Sequence, residues 1–141
     1  MSRRDDFHYP VRRALEKEGW TITHDPIVLA FKDLRLKVDL AAERYLAAEK
    51  GQQQIAVEVK DFDRQAMAVE LQKLIGQLQL YAWALAEYAP GRELYLAVSK
   101  GVYDEYIQKE GTAFQAIVER LHLNLIVCDI TQEEIWQWIK H

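Results

Sequence analysis

Three charged residues lie within segments that are otherwise suited to a buried sheet. Asp39 interrupts the apolar run Leu36–Ala41, and Glu58 and Lys60 lie two residues apart on the alternating segment Ile55–Lys60. Because successive side chains of a strand point to opposite faces, Glu58 and Lys60 are expected on the face opposite to Ile55, Val57 and Val59. The 18 residues between Asp39 and Glu58 suffice for two antiparallel strands joined by a loop. The spacing therefore predicts that both carboxylates meet at one end of a sheet.

Two carboxylates held close together repel, and a divalent cation relieves that repulsion. An all-oxygen site made of Asp39, Glu58 and a backbone carbonyl suits Mg²⁺ or Mn²⁺. Lys60 beside it could steady a developing charge or position a water molecule. These groups are the parts needed for metal-assisted hydrolysis of a phosphodiester.

A long predicted helix adds two polar candidates. Gln77 and Tyr81 are four residues apart and share one helical stripe, so both can face the same site. Gly76 weakens the helix and suggests a close approach to another element, such as the strand of Glu58. The plainer alternative stays open, in which Glu58 and Lys60 form a surface ion pair and Gln77 and Tyr81 are packing residues.

Other chemistries lack their residues. Serine occurs at two positions only, no glycine-rich loop precedes a helix, and the four histidines show no metal-ligand spacing. The single cysteine, Cys128, excludes an intrachain disulfide and is predicted to be a buried thiol. His8 is expected at the rim of the first helix, with a position facing the site as the alternative.

Periodicity predicts a helix at 6–18, strands at 20–23, 27–31, 34–41 and 55–60, a long helix at 65–88 and a strand at 93–99. Two short helices at 101–109 and 112–121, the second capped by Thr112, and a strand at 124–129 follow. The tail at 131–139 is predicted to be a strand, with a helix that begins at a Thr131–Glu134 capping box as the alternative. Residues 42–53 stay ambiguous and end in a predicted turn at Lys50–Gln52. This order favours an α/β fold with a mixed sheet.

Length and composition predict a single domain over residues 1–141, with 50% hydrophobic and 28% charged residues. No segment is apolar and long enough for a membrane span, and no signal peptide is evident, so a cytoplasmic protein is expected. The net charge is −4, but residues 1–60 carry +1 and residues 61–141 carry −5. A nucleic-acid surface is therefore expected on the first half.

The residues Val38-Asp39, Glu58-Val59-Lys60 and Gln77 with Tyr81 resemble the motifs of the PD-(D/E)XK restriction-endonuclease-like superfamily, the last pair resembling the Gln-x-x-x-Tyr motif of its RecB-like nucleases. The whole chain is also similar to the XisH family, the controlling factors for excision of the fdxN element in cyanobacteria. The stretches that carry this resemblance are 14–26, 38–40, 47–50, 55–60, 76–77, 94–98 and 125–127.

The resemblance implies a restriction-endonuclease-like fold, a central mixed sheet flanked by helices with the core order αβββαβ. It also implies a Mg²⁺ or Mn²⁺ site at Asp39, Glu58 and Val59, with Lys60, Gln77 and Tyr81 as further catalytic residues. DNA and a small XisI-type protein are the implied partners, in programmed DNA rearrangement.

Whether the fold cuts DNA stays open at this stage. The alternative is a catalytically silent scaffold that regulates a recombinase or an XisI-type partner, for which the aromatic residues Tyr103, Tyr106, Trp136 and Trp138 would be exposed contacts. A homodimer that combines two basic halves is a third alternative.

Overall fold

The structure is a computed structural model and describes residues 3–46 and 51–141. In this part of the chain four helical segments and eight strands follow one another: α1 (Arg3–Lys17), β1 (Thr21–His24), β2 (Ile27–Phe31), β3 (Leu34–Val38), β4 (Leu40–Leu46), β5 (Gly51–Val59), α2 (Met67–Tyr88), β6 (Arg92–Ser99), α3 (Lys100–Val102), α4 (Ala113–Leu121), β7 (Leu125–Asp129) and β8 (Glu134–Ile139). A short 3₁₀ turn, Arg64–Ala66, precedes α2, and a π-helical turn, Tyr103–Ile107, continues α3.

Six strands form one mixed sheet in the order β1-β4-β5-β6-β7-β8. The two central pairs, β5 with β6 and β6 with β7, are parallel, while the outer pairs are antiparallel. Strands β2 and β3 form a separate antiparallel hairpin. With that hairpin set aside, the main-sheet order begins helix, three strands, helix, strand, which confirms the predicted mixed α/β class and core order.

The sheet is buried on both faces because strand side chains alternate between two cores. Ile55 and Val57 pack in the core that contains α1, and Ala56 packs in the core that contains α2 and α4. The predicted division of faces along β5 is therefore confirmed. Glu58 and Lys60 follow Ala56 in this alternation and lie on the α2 side.

The predicted strand at 34–41 is wrong in one respect, because it is two strands in two different sheets. Leu34–Val38 pairs with β2, whereas Leu40 begins the strand that pairs with β5. The chain bends at Asp39, between them. Asp39, the residue that interrupts the apolar run, marks the place where the chain passes from one sheet to the other.

Most other predicted elements are confirmed. The tail is a strand, the long helix ends at Tyr88, and the Thr112 hydroxyl caps α4 by accepting the Gln115 N–H at 3.1 Å. Lys50, from the predicted turn, lies outside the described residues, as does the stretch 47–50 quoted for the family resemblance, whereas Gly51 already pairs with Leu46. The ambiguous segment therefore contains the ends of two paired strands.

The four aromatic residues that were expected to be exposed differ in how much of each side chain reaches solvent. Trp136 is 48% exposed on the edge strand β8. Tyr103 and Tyr106 are half-buried, and Trp138 packs between Trp20 and Tyr95. The expectation of exposure is therefore wrong for three of them, because Tyr103 and Tyr106 pack against the core that contains α2 and Trp138 packs against the core that contains α1.

Candidate active site

The β4–β5 hairpin brings the two candidate carboxylates side by side. Leu40 is paired with Val57, so Asp39 and Glu58 are the next residues beyond this pair on their respective strands. One carboxylate oxygen of Asp39, Oδ2, accepts the Val59 N–H at 2.8 Å, and Glu58 Oε1 accepts the Asp39 N–H at 3.4 Å. These two bonds tie each carboxylate to the backbone of the opposite strand. The predicted convergence of Asp39 and Glu58 at one end of the sheet is what the structure contains.

Glu58 is 7% exposed, an unusual position for a carboxylate. Burial, and after it the charge of Asp39 and a side-chain hydrogen bond with Asp39, together raise its pKa to about 8. Lys60 opposes the shift through its positive charge. At neutral pH and in the absence of another cation, the pair therefore tends to hold a proton on Glu58.

Tyr81 reaches the same place from α2. Its ring is buried, and its pKa lies above the usual range for three reasons: burial, the charges of Glu58 and Asp39, and a side-chain hydrogen bond with Glu58. The hydroxyl therefore stays protonated and can donate to the carboxylate. The helical stripe predicted to face the site does so at Tyr81.

Lys60 lies beside the pair and is held by a residue that the sequence reasoning missed. Its Nζ is 3.3 Å from Oε1 of Glu70 on the first turn of α2. The other carboxylate oxygen of Glu70 accepts the Asp63 N–H at 3.1 Å. Glu70 thus fixes both the ammonium group and the loop between β5 and α2. A signal existed, since Glu70 precedes Gln77 by seven residues, which is two helical turns on the same stripe.

Gln77 and Gly76 are both exposed. Among the described residues Gln77 makes no hydrogen bond to Lys60, whose ammonium group is engaged by Glu70. An added Cβ at Gly76 would meet nothing within 4 Å, so the predicted close approach of the helix there is wrong. The structure does not explain the glycine. Gln77 lies on α2 one turn before Tyr81.

His8 is not a rim residue, since it is only 1% exposed. Its Nε2 lies 2.7 Å from Oδ1 of Asp25, and Arg12 donates to Oδ2 of the same carboxylate at 2.6 Å. Asp25 follows β1, so this cluster connects α1 to the end of that strand. Burial opposes the effect, but Arg12 and His8 together hold the pKa of Asp25 below its usual range.

The donor set fits a divalent cation of the magnesium type. Among the described residues no group of three or more His, Cys, Asp or Glu side chains that could hold a metal converges, so the carboxylate ligands offered here are the pair Asp39 and Glu58. Mg²⁺ commonly uses one or two carboxylates and completes its shell with water and other oxygen atoms. The third expected ligand is the carbonyl oxygen of Val59, the residue whose N–H donates to Asp39.

Cys128, by contrast, is a structural thiol. It is buried in β7, and burial raises its pKa to about 12, which makes it unreactive. This confirms the prediction from the sequence. In the described part of the chain no helix has the length and apolar character needed to cross a membrane.

The fold and this site define a class: a mixed α/β protein in which a β-hairpin carries a buried carboxylate pair beside a lysine. The model of the XisH protein family matches residues 1–136, and the chain belongs to the XisH family.

Two crystal structures are similar over nearly the whole chain. One is a fdxN element excision controlling factor protein from Anabaena variabilis, with 39% identity, a TM-score of 0.84, and coverage of 97% of this chain and 100% of that one. The other is an XisH family protein from Nostoc punctiforme, with 37% identity, a TM-score of 0.84, and coverage of 96% and 100%. No curated protein matches the chain.

Proposed function

We propose that this protein is a Mg²⁺- or Mn²⁺-dependent DNA nuclease of the PD-(D/E)XK type that takes part in excision of a DNA element in the cytoplasm. The observation that carries the proposal is the Asp39–Glu58 pair, in which burial and mutual repulsion raise the pKa of Glu58 to about 8. Two buried carboxylates held close together lower the stability of the folded protein, and a bound cation relieves their repulsion. The similar protein from Anabaena variabilis, described as an excision controlling factor, supplies the biological setting.

Each residue of the site has a role in this proposal. Asp39, Glu58 and the Val59 carbonyl hold the cation, which when bound lowers the pKa of water and neutralises phosphate charge. Lys60, fixed by Glu70, positions the attacking water and steadies the charge that develops on the phosphate.

The two helix residues complete the arrangement. Tyr81 keeps the Glu58 carboxylate in place through its hydroxyl. Gln77, exposed one turn away, is free to contact a substrate phosphate.

The test is divalent-dependent cleavage of single-stranded, duplex and branched DNA by the wild type and by Glu58→Gln. Glu119→Gln, at an exposed position on α4, is the matched control because it makes the same chemical change outside the proposed site. Cleavage by wild type and control, lost in Glu58→Gln, supports the proposal. The proposal is refuted by no cleavage in Mg²⁺ or Mn²⁺, with or without an XisI-type partner protein.

A second candidate function is a silent scaffold that regulates a recombinase or an XisI-type partner. The favouring observation is the sheet edge at β8, where Trp136 is about half exposed beside Tyr103 and Lys100. Exposed edge strands and aromatic residues are common protein contacts. Partner binding that is unchanged in Glu58→Ala but lost in Trp136→Ala, together with no measurable Mn²⁺ binding, selects the scaffold. Sedimentation with and without DNA tests the homodimer alternative.

A further inference from the structure

The β2–β3 hairpin has a charge unlike that of the chain as a whole. It carries Lys32, Arg35 and Lys37, all exposed, against one acidic residue, Asp33. The full chain has a net charge of −4. The hairpin is therefore a basic projection on an acidic protein.

One face of the hairpin packs against the core of the protein, and this packing holds the hairpin in place. On the inner face Ile27 and Leu29 are buried in the core that contains α2. At its tip Phe31 lies 6.1 Å from the ring of Trp83 on α2. Its outer surface is thus held in a fixed orientation and is not a flexible loop.

The two cations of β3 lie on the outer face. Arg35 is paired with Ala30 and Lys37 with Val28, and all four residues are exposed, Val28 at 50%. Residues two apart on a strand are separated by about 6.7 Å and point the same way. The outer face of the hairpin therefore presents two parallel cationic side chains over small apolar neighbours.

Lys32, at the turn of the same hairpin, is paired with Glu87 of α2, and several other basic residues are paired as well. Arg13 pairs with Glu133, Arg64 with Glu105 and Lys100 with Asp104. Within residues 3–46 and 51–141, neither Arg35 nor Lys37 has an ion pair or a side-chain hydrogen bond. Their charge is therefore available to a ligand without the loss of an existing contact.

The cationic face lies next to the carboxylate pair, and this location points to DNA as its ligand. Lys37 lies two residues before Asp39, so β3 leads from the cationic face to the carboxylate pair. Two cations held about 6.7 Å apart on one rigid face can contact two phosphates of one DNA strand together. A cationic face is also what an acidic metal site needs beside it to hold a polyanion.

We infer that the outer face of the β2–β3 hairpin, through Arg35 and Lys37, binds the phosphate backbone of duplex DNA next to the Asp39–Glu58 pair. The inference rests on the proposed function in one respect, since it supplies the substrate-binding surface of that site. It concerns binding alone and is measurable without catalysis.

The experiment measures affinity for a labelled DNA duplex by fluorescence anisotropy, in EDTA, across a range of salt concentrations. Arg35→Ala/Lys37→Ala should weaken binding about eightfold per cation at 0.1 M salt and should lower the slope of log affinity against log salt by about 1.8. Lys109→Ala/Arg120→Ala is the matched control, because it removes the same charge from exposed positions elsewhere, and it should bind like the wild type. Arg35→Lys/Lys37→Arg should retain affinity.

Failure of this inference is distinguishable from failure of the proposed nuclease. Duplex binding that depends on the hairpin, without cleavage in Mg²⁺ or Mn²⁺, supports the inference and refutes the nuclease. A hairpin variant that cleaves DNA and binds it with wild-type affinity supports the nuclease and refutes the inference. The inference is also overturned by a wild type that does not bind duplex DNA, or by a hairpin variant that loses only self-association in sedimentation, since a second copy would then cover this face.

Discussion

Glu58→Gln is expected to remove a pH-dependent destabilisation that the wild type carries. The Glu58 carboxyl has an ordinary pKa near 4.5 in the unfolded chain and about 8 in the folded protein. Between these values the unfolded chain has released the proton while the fold retains it, so the free energy of unfolding falls as pH rises. This is the sign expected of a carboxyl with a raised pKa.

The magnitude follows from the width of that interval. Each pH unit over which only the folded form holds the proton lowers the free energy of unfolding by about 1.4 kcal/mol. From about pH 5 to about pH 9 the Glu58 contribution is therefore about 4 kcal/mol. Because a glutamine amide does not ionise, Glu58→Gln should lose this dependence and be the more stable protein at pH 9.

The assay is urea unfolding of wild type and Glu58→Gln at a series of pH values, with the difference between the two proteins as the measured quantity. Taking the difference cancels the titration of groups that both proteins share. Glu119→Gln, exposed on α4, should track the wild type. A wild-type minus Glu58→Gln difference that stays flat from pH 5 to pH 9 would refute the account of the buried pair.

The same measurement detects a cation. At ten times its dissociation constant, a ligand bound only to the fold adds about 1.4 kcal/mol to the free energy of unfolding. Mg²⁺ or Mn²⁺ should therefore stabilise the wild type at pH 8 and leave Glu58→Gln unchanged. Equal stabilisation of both proteins would place the cation somewhere other than the carboxylate pair.

Three further variants test other contacts. Asp25→Asn removes the anion whose pKa the fold lowers, so it should reduce the free energy of unfolding by about 2 kcal/mol at neutral pH. In urea unfolding at lower pH this difference from the wild type should shrink, because acid protonates the wild-type carboxyl. Leu74→Ala, fully buried under the sheet, should cost about 3 kcal/mol in denaturant unfolding, whereas exposed Leu121→Ala should cost less than about 0.5 kcal/mol. Glu70→Gln should leave Mn²⁺ affinity intact in calorimetry but slow DNA cleavage about tenfold, because Lys60 loses its anchor.

Several parts of the fold follow from the sequence because their causes are local. Alternation of polar and apolar residues along β5 assigns Glu58 and Val57 to opposite faces, since the period of a strand is fixed by its backbone. The spacing of Leu71, Leu74 and Leu78 likewise defines the buried face of α2. In both elements the direction of each side chain depends only on its neighbours in the chain.

The candidate site was predictable in part. The antiparallel pairing that joins Asp39 to Glu58 follows from their separation, and the helical stripe places Tyr81 near them. Glu70 lies on the same stripe, but its contact with Lys60 and the exposure of Gln77 depend on how α2 is rotated against the sheet. That rotation is set by packing over many residues.

The sequence by itself determined most of the elements, the faces of their side chains and the residue types available for chemistry. Only the tertiary structure decided that β2 and β3 leave the sheet to form a basic hairpin, that His8 is buried against Asp25, and that Glu58 is removed from water. The reason is physical. The direction of a side chain is a local property of the backbone, whereas its burial, and the pKa that follows from burial, is created by residues far away in the chain.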